Sequence, residues 1–329
     1  MLRILHDTNY DFIRWWKWAL GITAAFLLLG LVSLLVVPPP YSIEFTGGTL
    51  LQAEFTSPAD AGRIRSTLER AGVHGAEIQQ FGSNREYTVR AQDAALIQAQ
   101  AGGAETIANR IESVLREEFG ADQLQIVRTE AVGPRVGSEL RRGAIIAILI
   151  SFVIVLIYLS IRFEWRFAAA AVIATSHDII GTVAFIALMR LEISLTIVAG
   201  LLTVLGYSLN DTIIIFDRAR ENLRKGRKES LYVTLNRSIN ETLPRSIMTH
   251  ATALASTTAL LIFAGDVLRP FAWVMSFGII TGAFSSIYVA APVLLWIERK
   301  WPRKAGARQS SSTATPTSRT RPSPATATP

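Results

Sequence analysis

The chain has 329 residues, 50% of them hydrophobic and 18% charged, with a mean hydropathy of +0.32 and a formal net charge of +7. A soluble domain carries closer to 25% charge, and the shortfall, with several apolar runs of about 20 residues, places the chain among polytopic membrane proteins. The absence of cysteine excludes disulfides, thiol chemistry and iron–sulfur clusters. The cations cluster beside the ends of apolar runs, which points to membrane topology and anionic headgroups and away from nucleic acid.

Residues 1–14 form a short N-terminal segment with Arg3 and Arg14, and Trp15, Trp16, Lys17 and Trp18 open an interfacial belt at the start of a first span over 15–37. That span is too long for a signal peptide, and Pro38-Pro39-Pro40 follows it instead of a small-residue cleavage site, so it reads as a retained anchor. Residues 38–138 are of mixed polarity. Ile43 to Phe55 predicts a strand broken at Gly47-Gly48. Ser57-Pro58-Ala59-Asp60 predicts a helix start, and the helix carries Ile64 and Leu68 and stops at Gly72. Segments 76–81 and 87–91 read as strands around a turn at 82–84. Ile107, Ile111, Val114 and Leu115 mark a second amphipathic helix ended by Gly120, and 124–131 reads as a last strand. The order β-α-β-β-α-β is the ferredoxin-like split βαβ pattern.

After a linker at 132–140, five more spans are expected near 143–161, 166–189, 193–216, 245–264 and 271–297. The expected fold class is thus a polytopic α-helical membrane protein. It has six transmembrane helices and one α+β ferredoxin-like domain between the first and second. The stretch 218–245 reads as a basic loop, with eight Arg/Lys against three Glu. Positive charge falls on the N-terminus, the second and fourth loops and the C-terminus. Both termini and the 218–245 loop are therefore expected to be cytoplasmic, and the 38–138 domain extracytoplasmic. Residues 301–329, rich in Ser, Thr, Ala and Pro from 305 onward, read as a disordered cytoplasmic tail.

Asp211 lies inside the fourth span, beside Asn210, and a carboxylate in a membrane helix is costly enough to suggest function. Gly200, Val204, Tyr207, Ser208 and Asp211 share one small or polar helix face that should turn inward. Arg245, opening the fifth span from the same side, is a partner at compatible depth; the plain alternative is that it snorkels to headgroups. Asp178 lies in the third span in line with Ala170, Ala174 and Thr182. Its neighbour His177 should not share its site, because adjacent helical residues point about 100° apart. His177 and His250 read as hydrogen-bonded core residues, and His6 and His74 as surface ones. Asp217, Arg218, Arg220 and Glu221, at the helix exit, fit a salt-bridged end or a gate equally well. Gly278, Gly282, Ser286 and Ala290 recur at four-residue steps and form a helix-packing face. The histidines lack metal-ligand spacing, and there is no phosphate-cradling loop. Six spans with one outer domain look like half of a pseudo-symmetric transporter.

Several motifs then acquire a common meaning. They are Phe45-Thr46-Gly47-Gly48-Thr49, Val132-Gly133-Pro134, His177-Asp178, the run Gly206 to Thr212, Phe216-Asp217-Arg218-x-Arg220-Glu221-Asn222, and the run Ser285 to Ala290. Together, over about residues 10–300, they resemble the SecF family of the bacterial Sec protein-export machinery, which is related to the proton-driven RND exporters. The resemblance implies a multi-pass protein of the bacterial cytoplasmic (inner) membrane. It implies no enzymatic activity and no cofactor beyond protons as coupling ion. Its function would be to use the proton-motive force to promote preprotein translocation. The implied partners are SecD, the SecYEG translocon, YajC and unfolded preprotein on the extracytoplasmic side, within the lipid bilayer and without nucleic acid. In that family the acid of the Asn-Asp motif and the arginine opening the fifth span are implicated in proton movement, here Asp211 and Arg245, with Asp178 as a further pathway residue. Tyr207, Ser208, Asn210, His177 and Asp217 would support them. A non-catalytic translocon scaffold and an RND-type small-molecule exporter subunit are the competing readings.

Overall fold

The computed structural model describes residues 8–80, 83–91, 103–225 and 229–302. Arg3, His6, the strand end at Phe81, turn residue Gly82 and the 305–329 tail lie outside the described residues. Among the described residues, six helices are long and apolar enough to cross a membrane. They are α1 (Trp16–Val36, entered through a tight turn at Ile13–Trp15), α5 (Pro134–Arg162), α6 (Trp165–Leu188), α7 (Leu195–Arg224), α8 (Leu231–Phe263) and a last helix built in three parts. The last helix runs as α9 (Gly265–Ser285), one wide π turn (Ser286–Ala290) and α10 (Ala291–Lys300).

Small side chains decide which helices reach the centre. On α6 the line Ala170, Ala174, Asp178 and Thr182 is buried. Gly200 on α7 faces Val274, Gly278 on α9 faces Val204, and Gly282 faces the Ser208 backbone, so α7 and α9 close on one another where no side chain intervenes. The α6, α7 and last-helix spans are about half buried, whereas α1, α5 and α8 expose most of theirs. Gly30 of α1 lies against Ala184 of α6, which fixes the first anchor to this centre.

The helices outrun the apolar stretches. α5 starts at Pro134, with proline at its first position. The 218–245 stretch is not a loop: α7 continues to Arg224 and α8 begins at Leu231, leaving only 225–230 between them. Hydropathy ends at the first charges, but ion pairs carry the helices on. Arg218 pairs with Glu221 at 2.6 Å and Glu241 at 2.6 Å, Arg237 with Glu229 at 2.5 Å, and Asn222 donates to Glu241 at 2.7 Å. The N-terminal segment is strapped to α8: Tyr10 donates its amide to Asn240 at 2.9 Å and accepts from the same side chain at 2.9 Å.

Between α1 and α5 sits the α+β domain. It consists of α2 (Ile43–Thr46), β1 (Gly48–Phe55), α3 (Ala61–Arg70), β2 (Glu77–Gln80), β3 (Glu86–Ala91), α4 (Gly103–Phe119) and β4 (Leu124–Val132). The four-stranded sheet runs β2-β3-β1-β4, antiparallel throughout, as the split βαβ pattern requires. Leu51, Ala53 and Phe55 alternate inward from β1 against Ile64, Leu68, Ile107, Ile111 and Leu115 of the two helices. Two expectations are corrected. α3 starts at Ala61 with Asp60 as its cap, the carboxylate accepting from the Arg63 amide at 3.0 Å, so Ser57 and Pro58 precede the helix. Ile43–Thr46 is a helical turn and not the start of a strand.

That turn exists for its contacts. Gly47 and Gly48 hold φ of +75° and +137°, values that release the chain from the turn into β1. A Cβ on Gly47 would lie 2.7 Å from the Pro134 Cα, and one on Gly137 would lie 2.8 Å from the Gly47 nitrogen. The turn therefore sits flush on the first residues of α5. On its other side the Glu44 carboxylate accepts from the Leu195 amide at 2.6 Å, capping α7, and Ser42 donates its amide to the Ile193 carbonyl at 2.9 Å. Arg90 of β3 pairs with Glu192 at 2.5 Å. The domain is docked on the two helix starts, not hung from a linker.

Candidate functional site: two buried carboxylates and four serines

Asp178 on α6 is fully buried and Asp211 on α7 is 4% exposed. A buried carboxylate needs donors, and here they are serines from other helices. Asp178 accepts through Oδ2 from Ser208 of α7 and from Ser285 of α9, the latter at 2.5 Å. Asp211 accepts through Oδ1 from Ser246 of α8 at 2.5 Å and through Oδ2 from Ser286 of the π turn at 3.0 Å. Ser208 and Asp211 lie one turn apart on α7, so one helix supplies a donor to the first acid and carries the second. Ser285 and Ser286 are consecutive, yet each serves a different acid. The entry into the π turn allows both to face inward, and such turns recur at functional positions. Four helices thus meet at one polar layer.

Asp211 makes no ion pair among the described residues. Arg245 is exposed, and Ser246, the next residue, occupies the place expected for it. The depth argument selected the right helix and segment but left its rotation open by one residue, which is about 100°. His177 does share a site with Asp178: its Nδ1 lies 2.9 Å from Asp178 Oδ1. Helical phase fixes where Cβ points, but the imidazole is long enough to swing back to its neighbour. Among the described residues its buried Nε2 has no hydrogen-bond partner. Tyr207 is half-buried, its hydroxyl donating to the Thr249 carbonyl at 3.3 Å and its ring edge-on to His250 at 5.7 Å. His250 bonds back to the Ser246 carbonyl at 2.6 Å.

Asn210 is exposed on the outer face of α7 and takes no part in the polar layer. Asp217 is bonded to Arg162 at 2.5 Å and Arg220 at 3.4 Å where α5 and α7 end. Gly278, Gly282 and Ala290 pack as a seam, but Ser286 in the same series is a donor to Asp211. Sequence reasoning missed Ser246 and Ser285 as site residues. The available signal was a hydroxyl-bearing pair continuing a glycine stripe, and a serine one step from the arginine singled out. Among the described residues no three His, Asp or Glu gather as a metal site would require.

The family model of the SecD/SecF C-terminal region of protein-export membrane proteins matches residues 111–300, and that of the SecD/SecF GG motif matches residues 32–59. The protein translocase subunit SecF of Gemmatimonas aurantiaca is 59% identical over 305 residues, covering 92% of this chain and 91% of the relative. The chain belongs to the SecF family of protein translocase subunits. Another SecF, from Escherichia coli O157:H7, is 38% identical over 291 residues, 88% of each chain. The crystal structure of SecDF from Thermus thermophilus, a translocon-associated membrane protein, matches with a TM-score of 0.77 at 32% identity over 91% of this chain. SecDF in its super-membrane-facing form matches at 0.62 and 34% identity over 90%. This SecF-family chain spans 40% of the length of each of those solved chains. The motif that names the N-terminal match contains Gly47-Gly48, the pair that lets the α+β domain close on α5.

Proposed function

We propose that this chain is the subunit of the Sec export machinery that, with SecD, couples the proton-motive force to preprotein translocation, and that Asp211 is the group that takes up and releases the proton. The observation that carries the reading is the setting of Asp211. It is buried, held by two neutral hydroxyls on separate helices, with an arginine one residue away on one of them. Turning α8 by one residue, about 100°, exchanges Ser246 for Arg245 at the carboxylate. A serine hydroxyl can donate to the carboxylate or accept from the protonated acid, whereas a guanidinium can only donate. Alternation between the two arrangements would load and unload a proton. Each proton crossing supplies about 2.3 kcal/mol per 100 mV, enough to bias such a motion more than tenfold. Asp178, tied to α7 and α9 by its own serines, would pass the movement on or hold a second proton. The docked α+β domain would follow, because Glu44 caps the helix that carries Asp211.

The exposed face of α7 and α8 supports a membrane partner. Asn210, Arg245, Thr252 and Ser256 face outward, with the hydroxyls bonded to their own helix. Polar and small groups of this kind suit a helix interface and not lipid. The other half-transporter, SecD, fits there. Arg14, Arg162, Arg166 and the 218–245 cations support a cytoplasmic reading of one end of the bundle. On that reading both termini lie inside and the α+β domain lies outside, where an emerging preprotein beyond SecYEG would meet it, with YajC in the same assembly.

The test is preprotein translocation into inverted vesicles that contain the partner subunit, with and without a proton gradient, for wild type and Asp211→Asn. The mutant is expected to assemble and to lose the gradient-dependent stimulation. Full stimulation in the mutant refutes the proton role and leaves the scaffold reading.

A further inference from the structure

An apolar cleft of about 410 Å³ opens between the start of α1, the start of α8 and the last helix. Buried Ile13 and Val289 form its deep end, and Leu20 and Val293 its walls. Trp16, Tyr232, Trp296 and Arg299 also line it, with Trp296 and Arg299 exposed. The aromatic residues set its depth in the bilayer, since tryptophan and tyrosine concentrate where hydrocarbon meets headgroups.

Cations outnumber acids around the mouth. Lys17 lies 5.9 Å above the Trp16 ring and Lys300 lies 5.2 Å above the Trp296 ring. Arg299 makes no ion pair among the described residues. Of the acids at this end, Asp11 accepts from the Tyr232 hydroxyl at 2.5 Å and the Arg14 amide at 3.3 Å, and Glu298 is paired with Arg166 at 3.3 Å. A slot of branched and aromatic side chains under cations matches an acyl chain beneath a phosphate. It does not match a neighbouring membrane helix, which seeks small residues at close approach. Such a surface exists elsewhere, on the outer side of α8.

We propose that this cleft seats one anionic phospholipid of the surrounding leaflet, with an acyl chain along Ile13, Leu20, Val289 and Val293 and the phosphate at Arg299. The lipid thereby ties the N-terminal anchor to the end of the last helix.

Two measurements test it on the full chain. In native mass spectrometry with added lipids of matched chains, the wild type is expected to retain phosphatidylglycerol over phosphatidylcholine by about fivefold, the weight of one headgroup-facing cation. Arg299→Gln should bring that ratio near one by lowering phosphatidylglycerol retention while phosphatidylcholine retention holds, and Val293→Trp, which fills the slot, should lower retention of both. An equal ratio in wild type, or unchanged retention in Val293→Trp, overturns the proposal. Photocrosslinking from a benzoylphenylalanine at Val293 in native membranes should give a lipid-sized adduct; a protein-sized adduct overturns it in favour of a partner helix.

Discussion

Gly278→Ala offers a calibrated test of how the polar layer is held. A Cβ at this position would overlap the Val204 side chain, lying 2.7 Å from Cγ1 and 3.0 Å from Cβ besides a closer clash with Cγ2. Val204 is buried on a helix, where a β-branched side chain is confined to one rotamer, so it cannot turn aside. Helix propensity favours alanine by about 1 kcal/mol, whereas forcing a methyl into a packed interface costs typically 1–3 kcal/mol. The expected net effect is a loss of up to about 2 kcal/mol. Gly206, on α7 itself, has nothing within 4 Å of its would-be Cβ. Gly206→Ala is therefore the internal control, neutral to stabilising by up to about 1 kcal/mol. Unfolding equilibria in mixed micelles would compare the two, and Val204→Ala in the Gly278→Ala background should recover part of the loss through a favourable coupling term. Gly278→Ala as stable as Gly206→Ala, or no coupling to Val204, would show that the α7–α9 seam is not set by this contact.

Four further variants probe contacts at other levels. Ser286→Ala should cost about 1.5–3 kcal/mol, the loss of a bond to a buried carboxylate, and should remove gradient stimulation; Ser285→Ala should show a similar stability cost through Asp178. Unfolding and vesicle translocation assays read these separately. Glu44→Gln weakens the cap on α7 by about 1 kcal/mol, so the Leu195 amide should exchange its hydrogen faster while amides around Asp211 stay protected. In the α+β domain, hydrogen bonds from Arg63, with help from Arg70, hold the Glu118 carboxyl below its ordinary range. A carboxyl lowered in the folded state contributes stability at neutral pH that is lost as pH falls through the folded-state value. Glu118→Gln should flatten the acid limb of the domain's unfolding profile and leave the neutral-pH limb parallel.

The membrane helices and the order of the α+β elements were legible because both rest on period and hydropathy, which the chain carries locally. The lengths of α5, α7 and α8 were not, because pairs such as Arg218–Glu241 join residues far apart in sequence and extend a helix where composition suggests a loop. Ile43-Glu44-Phe45 alternates like a strand, and only the α7 amide waiting for Glu44 makes it a turn. The acids Asp178 and Asp211 stood out because an intramembrane carboxylate is rare. Their serines did not, since a serine in a membrane helix is ordinary until its partner is known. The choice between Arg245 and Ser246 turned on one residue of helical phase, which depth reasoning cannot resolve.

The wide turn at Ser286–Ala290 makes the last helix two rods joined out of step. Residues before it keep the phase that closes the glycine seam on α7, and residues after it keep the phase that seats Ile297 and Leu294 in the core at the other end. Regularising that single turn would swing everything beyond it by about 100° and lengthen the rod by about 1.5 Å, drawing Ser286 off Asp211 while Ser285 stayed on Asp178. One residue of slack puts neighbouring serines on different acids.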